Sequence, residues 1–356
     1  MTAPRSRHEL QSGALEIPDD IEAACDWLYD RGWTDGLPII PPTPERVQTM
    51  LTGTTLSPAT VVAVLDPRGA KASVEKIAIN AVMAGCKPEY MPVLVAAVRA
   101  IANPTYNLHA VVTTTNSVAP MTVINGPIRN QIRVNSGRNA LGPGVRANAA
   151  IGRAVKMIMM NVGGGVPQEI DKAILGLPAK YTCCLGEDEE GSPWDPLHVE
   201  RGLGPEDSAV TVYGISSDIN VCILAKPEQA LKVQLDRVAN ALGLIGSNNW
   251  LAGQGDIVLI IPRGWARILN DAGYRKDDIK QHLWEHSSIP EEDYPPAVRV
   301  PLKKPEEQGF VRNGRVYTTN SPSKISVIVA GAPEPYHMMV MNTYAENDCV
   351  TEKITN

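Results

Sequence analysis

Asp256-Ile-Val-Leu-Ile-Ile-Pro-Arg-Gly-Trp-Ala-Arg-Ile-Leu-Asn-Asp-Ala272 reads as a strand that runs into a helix. Its aliphatic run is short, rich in β-branched residues and closed by Pro262, so residues 256–261 fit a buried strand. Gly264–Ala272 then reads as a helix, and Asp277–His286 as another. The same alternation extends upstream. Strands are expected at Val61–Leu65, Ala110–Thr115, Met121–Ile124, Lys180–Leu185, Ala209–Tyr213 and Val221–Ala225. Helices are expected after Asp19-Asp20, after Thr43 with Pro44 at the first position, and at Ser73–Gly85, Pro88–Ala102, Gly144–Asn161 and Pro227–Leu242. Lys324–Ala330 and His337–Asn342 add two more strands. The fold class is therefore α/β in the broad sense (mixed α+β), with a mixed sheet flanked by helices.

The 356 residues divide into a loose arm (1–18), a first half (19–205) and a second half (206–356), the two halves intimately packed. Cys86-Lys-Pro-Glu89 and Ala225-Lys-Pro-Glu228 each open a helix that leads to a strand, which suggests a pseudo-duplication. Proline at the first helical position followed by glutamate is also simply a good helix start.

A single Phe among 356 residues makes the core aliphatic, filled by Val, Ile, Leu, Ala and eleven Met. Trp33 and Trp194, both in rigid Pro/Gly-containing loops, are then better placed to line a pocket than to fill the interior. The net charge of -6 and the lack of a basic run argue against a nucleic-acid partner. No 18-residue apolar window is present, which argues against a membrane partner. Met1–Gly13 lacks the apolar stretch of a secretory signal. Six cysteines without a CxxC pair point to free thiols and a cytoplasmic location. Met157, Ile158, Met159 and Met160 make one helix apolar on several faces, as in a homo-oligomer or a plain core.

Three segments carry candidate chemistry. In Asn135-Ser-Gly-Arg-Asn-Ala-Leu-Gly-Pro-Gly-Val-Arg-Ala-Asn148, glycines let the backbone bend towards a ligand, and the loop runs into a helix start that favours an anion. Arg133, Arg138 and Arg146 would supply charge, and Asn135, Ser136 and Asn139 neutral partners. The second segment, Tyr181–Glu200, holds Glu187, Asp188, Glu189 and Glu190, then Trp194 and His198. His198 with Glu187 or Glu189 would form a proton-transfer pair, and Trp194 would touch the substrate. Third, Cys86 lies just before a helix start beside Lys87, where partial positive charge would favour the thiolate. Cys183 and Cys184, adjacent on a strand, are expected to face opposite sides.

Two further features have plainer readings. Trp33-Thr-Asp-Gly-Leu-Pro-Ile-Ile-Pro-Pro-Thr43 reads as a stiff strap that buries Leu37 and Ile39. His282 and His286 have metal-capable spacing on one helix, but neighbouring Lys280 and Glu285 mark a solvated face.

Several of these motifs resemble those of a known group. Trp33–Thr43, Ala84-Gly-Cys-Lys-Pro-Glu-Tyr90, Asn135-Ser-Gly, Leu141-Gly-Pro-Gly144, Ser192-Pro-Trp-Asp-Pro-Leu-His-Val-Glu200 and Val327-Ile-Val-Ala-Gly331 resemble a bacterial family related to UGSC-type (seleno)proteins. The Cys/Sec-Gly-Ser-Cys motif itself is absent, and the resemblance implies coherence over roughly residues 20–354 rather than a reaction. The expected function is cofactor-independent, metal-free hydrolysis or elimination on a small anionic substrate. Cys86 would be the nucleophile, Arg138 and Arg146 the anion holders, and His198 with Glu187 or Glu189 the proton carriers. The alternatives are a metal-dependent enzyme using His198 and acidic residues, or a non-catalytic anion-binding subunit.

Overall fold

The computed structural model describes residues 9–222, 231–244, 256–294, 309–344 and 347–355. Helices α1 (Ile21–Tyr29) and α2 (Pro44–Leu51) start where side chains cap them. Asp20 accepts from the Ala23 N–H and Thr43 from the Arg46 N–H. The segment between them is a strap. Arg153 clamps it with two hydrogen bonds to Asp35 (both 2.7 Å) and two more to the carbonyls of Leu37 and Pro38. Ile39 is buried beneath it, whereas Leu37 stays 44% exposed. Trp33 meets Trp27 edge-on near the surface.

A hairpin follows, β1 (Val61–Leu65) and β2 (Ala70–Ser73), then α3 (Val74–Met83) capped by Ser73, and α4 (Met91–Ala102). The expected buried strand at 61–65 is thus a peripheral one with only Leu65 buried. Ten of the twelve residues of α4 are buried, as befits a helix apolar on nearly every face. The strand expected at Ala110–Thr115 is a helix, α5 (Leu108–Thr113). Asn107 takes a left-handed conformation (φ 51°) and its side chain accepts from the Ala110 N–H, so local capping overrides the β-branched run. The first half of the expected duplication therefore lacks its strand, and Ala225–Glu228 lies outside the described residues.

The remaining elements build the centre. They are β3 (Ala119–Asn125), α6 (Ile128–Gln131), α7 (Arg146–Asn161), β4 (Cys184–Gly186), α8 (Leu197–Glu200), β5 (Ala209–Cys222), α9 (Leu231–Leu242) and β6 (Ile257–Ile261). After them come α10 (Arg263–Asp271), α11 (Lys276–His286), a small sheet of β7 (Ile289–Pro290), β8 (Val311–Arg312) and β9 (Arg315–Val316), and then β10 (Ile325–Val329), β11 (His337–Thr343) and β12 (Val350–Lys353). Of the strand expected at Lys180–Leu185, only Cys184 and Leu185 lie in the sheet, in a strand that ends at Gly186. Ala209–Tyr213 and Val221–Cys222, expected in two separate strands, belong to one strand of fourteen residues, and residues 223–225 of the second expected strand lie outside the described residues.

Seven strands form a mixed, curled sheet in the order β10-β6-β11-β5-β3-β4, with β12 also paired to β5. The long β5 makes this possible. Residues 209–215 pair with β3, while β12 and β11 follow one another along its other edge. The two ends of the order meet: the Asp188 N–H bonds to the Val329 carbonyl (2.7 Å), and the Gly331 N–H to the Ser136 carbonyl (2.8 Å). Alternate side chains divide between the two faces. Met121, Val123, Leu185, Tyr213, Ile260 and Ile328 fill the inside of the curl. Outside it, α3, α4 and α7 pack on one part of the sheet, and α9, α10 and α11 on another. Gly152 lets α7 lie close to the chain before β4, because a Cβ there would stand 2.5 Å from Thr182 Oγ1. Met157, Ile158, Met159 and Met160 are all buried within this chain, so they offer no subunit interface. Among the described residues, no helix is long and apolar enough to cross a membrane.

Candidate functional site

The Asn135–Asn148 loop uses most of its polar groups to hold its own shape. Asn148, in the first turn of α7, accepts from the Asn135 N–H (2.8 Å) and donates to the carbonyls of Asn135, Ala140 and Cys184. Asn135 Oδ1 accepts from the Gly137 N–H, and its Nδ2 donates to the Arg138 carbonyl. Asn139, at φ 60°, donates to the Pro143 carbonyl. Ser136 contributes its carbonyl to Gly331. The three arginines do not converge. Arg138 pairs with Glu334, Arg146 donates to the Gly85 carbonyl (2.8 Å), and Arg133 is exposed. Arg138, Asn139, Leu141, Glu334 and His337 do line a cleft of about 450 Å³ at the mouth of the curled sheet. Glu334 nevertheless neutralises the one arginine there, so the expected anion cradle is not assembled.

Cys86 is a buried thiol in the helical core, with Sγ 3.3 Å from the Ala150 carbonyl. Burial pushes its pKa far above the ordinary value, more than Arg146 and Arg153 pull it down. The expected thiolate is therefore corrected, because losing water outweighs nearby positive charge. Cys183 and Cys184 do face opposite sides, one into the curl and one towards the helices. Burial lifts the Cys183 thiol to about 12. Trp194 does not line the cleft. Its indole N–H donates to the Tyr274 carbonyl, and its ring packs against the α9–α11 layer.

The acidic segment behaves differently. Its strand-like pairing continues past β4, where the Glu187 N–H bonds to the Ile124 carbonyl, so Glu187 shares the inner face with Leu185. Glu187 is wholly buried. It accepts from Asn125 Nδ2 and the Leu197 N–H (both 2.7 Å) and lies 3.4 Å from Lys276 Nζ. Lys276 also reaches Glu200 and the Asp195 carbonyl (both 2.7 Å). Burial works against the Lys276 ammonium, but Glu187 and Glu200 together hold its pKa above the ordinary value. Asp188 leaves the cluster for Arg263, with two hydrogen bonds of 2.7 and 2.8 Å.

Glu189 is where the cluster meets its unused groups. Its Oε1 accepts from Asn125 Nδ2 (3.0 Å) and the Gly126 N–H (2.7 Å), with Gly126 at φ 79°. His198 Nδ1 lies 4.0 Å from Oε1, and Arg129 Nη2 lies 3.7 Å from Oε2. Four buried atoms on the three neighbours of Glu189 have no hydrogen-bond partner. They are both ring nitrogens of His198, Arg129 Nε and Asn125 Oδ1. Buried polar atoms are normally satisfied, so this concentration marks a place built to meet another polar group. Asn125, Arg129 and His198 are closed off, whereas the Glu189 side chain is 16% exposed and forms the outer end. Glu190 tethers Arg129 from the surface. Burial would raise the Glu190 carboxyl, but hydrogen bonds from Arg129 and Asn130 hold it at about 2.

The structure thus joins Glu187, Glu189 and His198 and leaves Cys86 and the Arg/Asn loop apart. Asn125, Arg129 and Lys276 belong to the site without having been singled out from sequence. Lys276 carried at most a faint signal: it is a cation at the start of a helix, where the dipole disfavours positive charge. No model of a known protein family matches this chain, and neither does any curated protein.

Proposed function

We propose that this chain is an enzyme that hydrolyses a small polar substrate, or eliminates a group from it, by proton transfer between Glu189 and His198. The carrying observation is the set of unpartnered buried atoms around Glu189. Each has a role in such chemistry. Glu189, at the exposed end, takes a proton from the substrate or from an attacking water. His198, 4.0 Å behind it, exchanges that proton or stabilises the charge left on Glu189. The Arg129 Nε–H is a fixed donor for a carbonyl or a developing oxyanion, and Asn125 Oδ1 is an acceptor for a substrate N–H or O–H. Glu187 and Lys276 form the rigid base that fixes Asn125 and the Leu197 end of α8. This reading needs no thiol. An anionic substrate remains the favoured class, because the Arg129 guanidinium, 3.7 Å from Glu189, keeps an unused Nε–H donor. The six free cysteines fit a cytoplasmic enzyme.

Turnover of a panel of small esters, amides and β-substituted carboxylic acids tests it. Glu189→Gln and His198→Asn should each lower the rate on any accepted substrate by about 100-fold or more. Wild-type rates in both variants, with unfolding midpoints preserved, would overturn the reading.

A further inference from the structure

The outer helical layer holds a second cluster, separate from the Glu189 site. His282 and His286 lie one turn apart near the C-terminal end of α11, and their rings stack with centroids 4.1 Å apart and planes 13° from parallel. Asp236, on the neighbouring α9, places Oδ1 2.8 Å from His282 Nε2. One donor atom from each of the three residues lies within 4.8 Å of the others. We propose that Asp236, His282 and His286 form a binding site for a divalent transition metal of the zinc class.

Three physical points carry this. First, the donor set is the one zinc takes, imidazole nitrogen with carboxylate oxygen at about 2.0–2.2 Å, so ligand atoms end about 3.4 Å apart. The present separations reach up to 4.8 Å, and because each imidazole lone pair lies in its ring plane, at least one of the two stacked rings turns when both face one ion. Second, His286 already has the tautomer of a ligand. Its Nδ1 bonds to the His282 carbonyl (2.8 Å), and as that carbonyl only accepts, Nδ1 carries the proton. The lone pair is then on Nε2, the arrangement in which a backbone carbonyl fixes the tautomer of a metal-bound histidine. Third, the site sits at the C-terminal end of α11, where the helix dipole favours a cation.

His286 is exposed and the protein offers three ligands, so the remaining coordination position would face solvent. A bound ion would also fasten α9 to α11. The first residue of α11, Lys276, holds Glu187, about 15 Å away at the other end of the same helix. Metal binding is therefore expected to stiffen the helix that supports the acidic cluster, while remaining a separate event.

Titration of chelator-treated, full-length protein with Co²⁺ and then Zn²⁺ tests the site. One equivalent of Co²⁺ should produce visible d–d absorption that Zn²⁺ abolishes, and Zn²⁺ should raise the unfolding temperature. His286→Gln, at an exposed position with little effect on folding, and Asp236→Asn should each weaken binding by more than about 10-fold. No uptake by the wild-type chain would overturn the proposal. So would undiminished uptake by the His282→Gln/His286→Gln double variant. Glu189→Gln should bind the metal normally, so failure of the proton-transfer reading would leave this result intact.

Discussion

The Asn135–Asn148 loop and the Glu187–Glu200 segment have equally suggestive sequences, yet the fold uses them in opposite ways. The first contains three asparagines that mostly bond the loop's own backbone and two arginines that each reach one partner outside it. Asn148 serves backbone groups of Asn135, Ala140 and Cys184, Asn135 closes its own turn, and Arg138 faces Glu334. The second contains four consecutive acids that cannot satisfy one another. They recruit distant partners, some of them shared: Lys276 and Asn125 for Glu187, Arg263 for Asp188, Asn125 with Gly126 for Glu189, and Arg129 for Glu190. Asparagine side chains can close a loop on its own backbone, whereas buried carboxylates such as Glu187 and Asp188 force a tertiary network. The candidate site arises in the second region because that network ends with polar atoms to spare.

The comparison can be broken most sharply at Lys276. Lys276→Met leaves Glu187 buried without its cation and should cost about 3–5 kcal/mol, read by urea unfolding at pH 7. The pH dependence has a definite sign. The folded pKa of Lys276 is raised, so its contribution is fully present below the ordinary value of 10.5 and is lost as pH rises through the higher folded value. The wild-type chain should lose stability across that alkaline range, and the variant should lose less.

Asn148→Ala should cost about 1–3 kcal/mol by stranding the Asn135 N–H and three carbonyls. An unchanged melting temperature would show that the loop does not depend on this hub. At Cys86, truncation to Ala should cost about 1 kcal/mol and leave turnover intact. Iodoacetamide with mass spectrometry should find native Cys86 unmodified while exposed Cys222 reacts. The smallest effects belong to the surface pairs. Arg138→Ala should change stability by less than about 1 kcal/mol, because its pair with Glu334 is solvent-exposed. Glu190 sharpens the contrast in acid. Its depressed carboxyl contributes stability above the ordinary 4.5 that is lost as pH falls towards about 2, and Glu190→Gln should remove that acid-side loss in a thermal melt series.

Features decided within a few residues were legible in the sequence. Asp20, Thr43 and Ser73 cap helices because a side-chain oxygen and an N–H three residues later are neighbours in any chain that turns there. Cys183 and Cys184 face opposite sides because strand periodicity requires it. His282 and His286 share a helix face for the equivalent helical reason, but only folding placed Asp236 beside them. The run at 110–115 misled because β-branched residues are compatible with both states, and Asn107 in the left-handed region settled it.

The sequence by itself determined a mixed α/β chain with an aliphatic core and capped helices, and it marked Glu187, Glu189 and His198 as candidates for one site. Tertiary structure alone decided that Cys86 would be a desolvated thiol, that Arg138 would be neutralised, and that Lys276 would cross 89 residues of chain to meet Glu187. Periodicity and capping are local properties of the backbone. Burial and charge pairing depend on which distant segments share a volume, and only the folded chain brings those segments together.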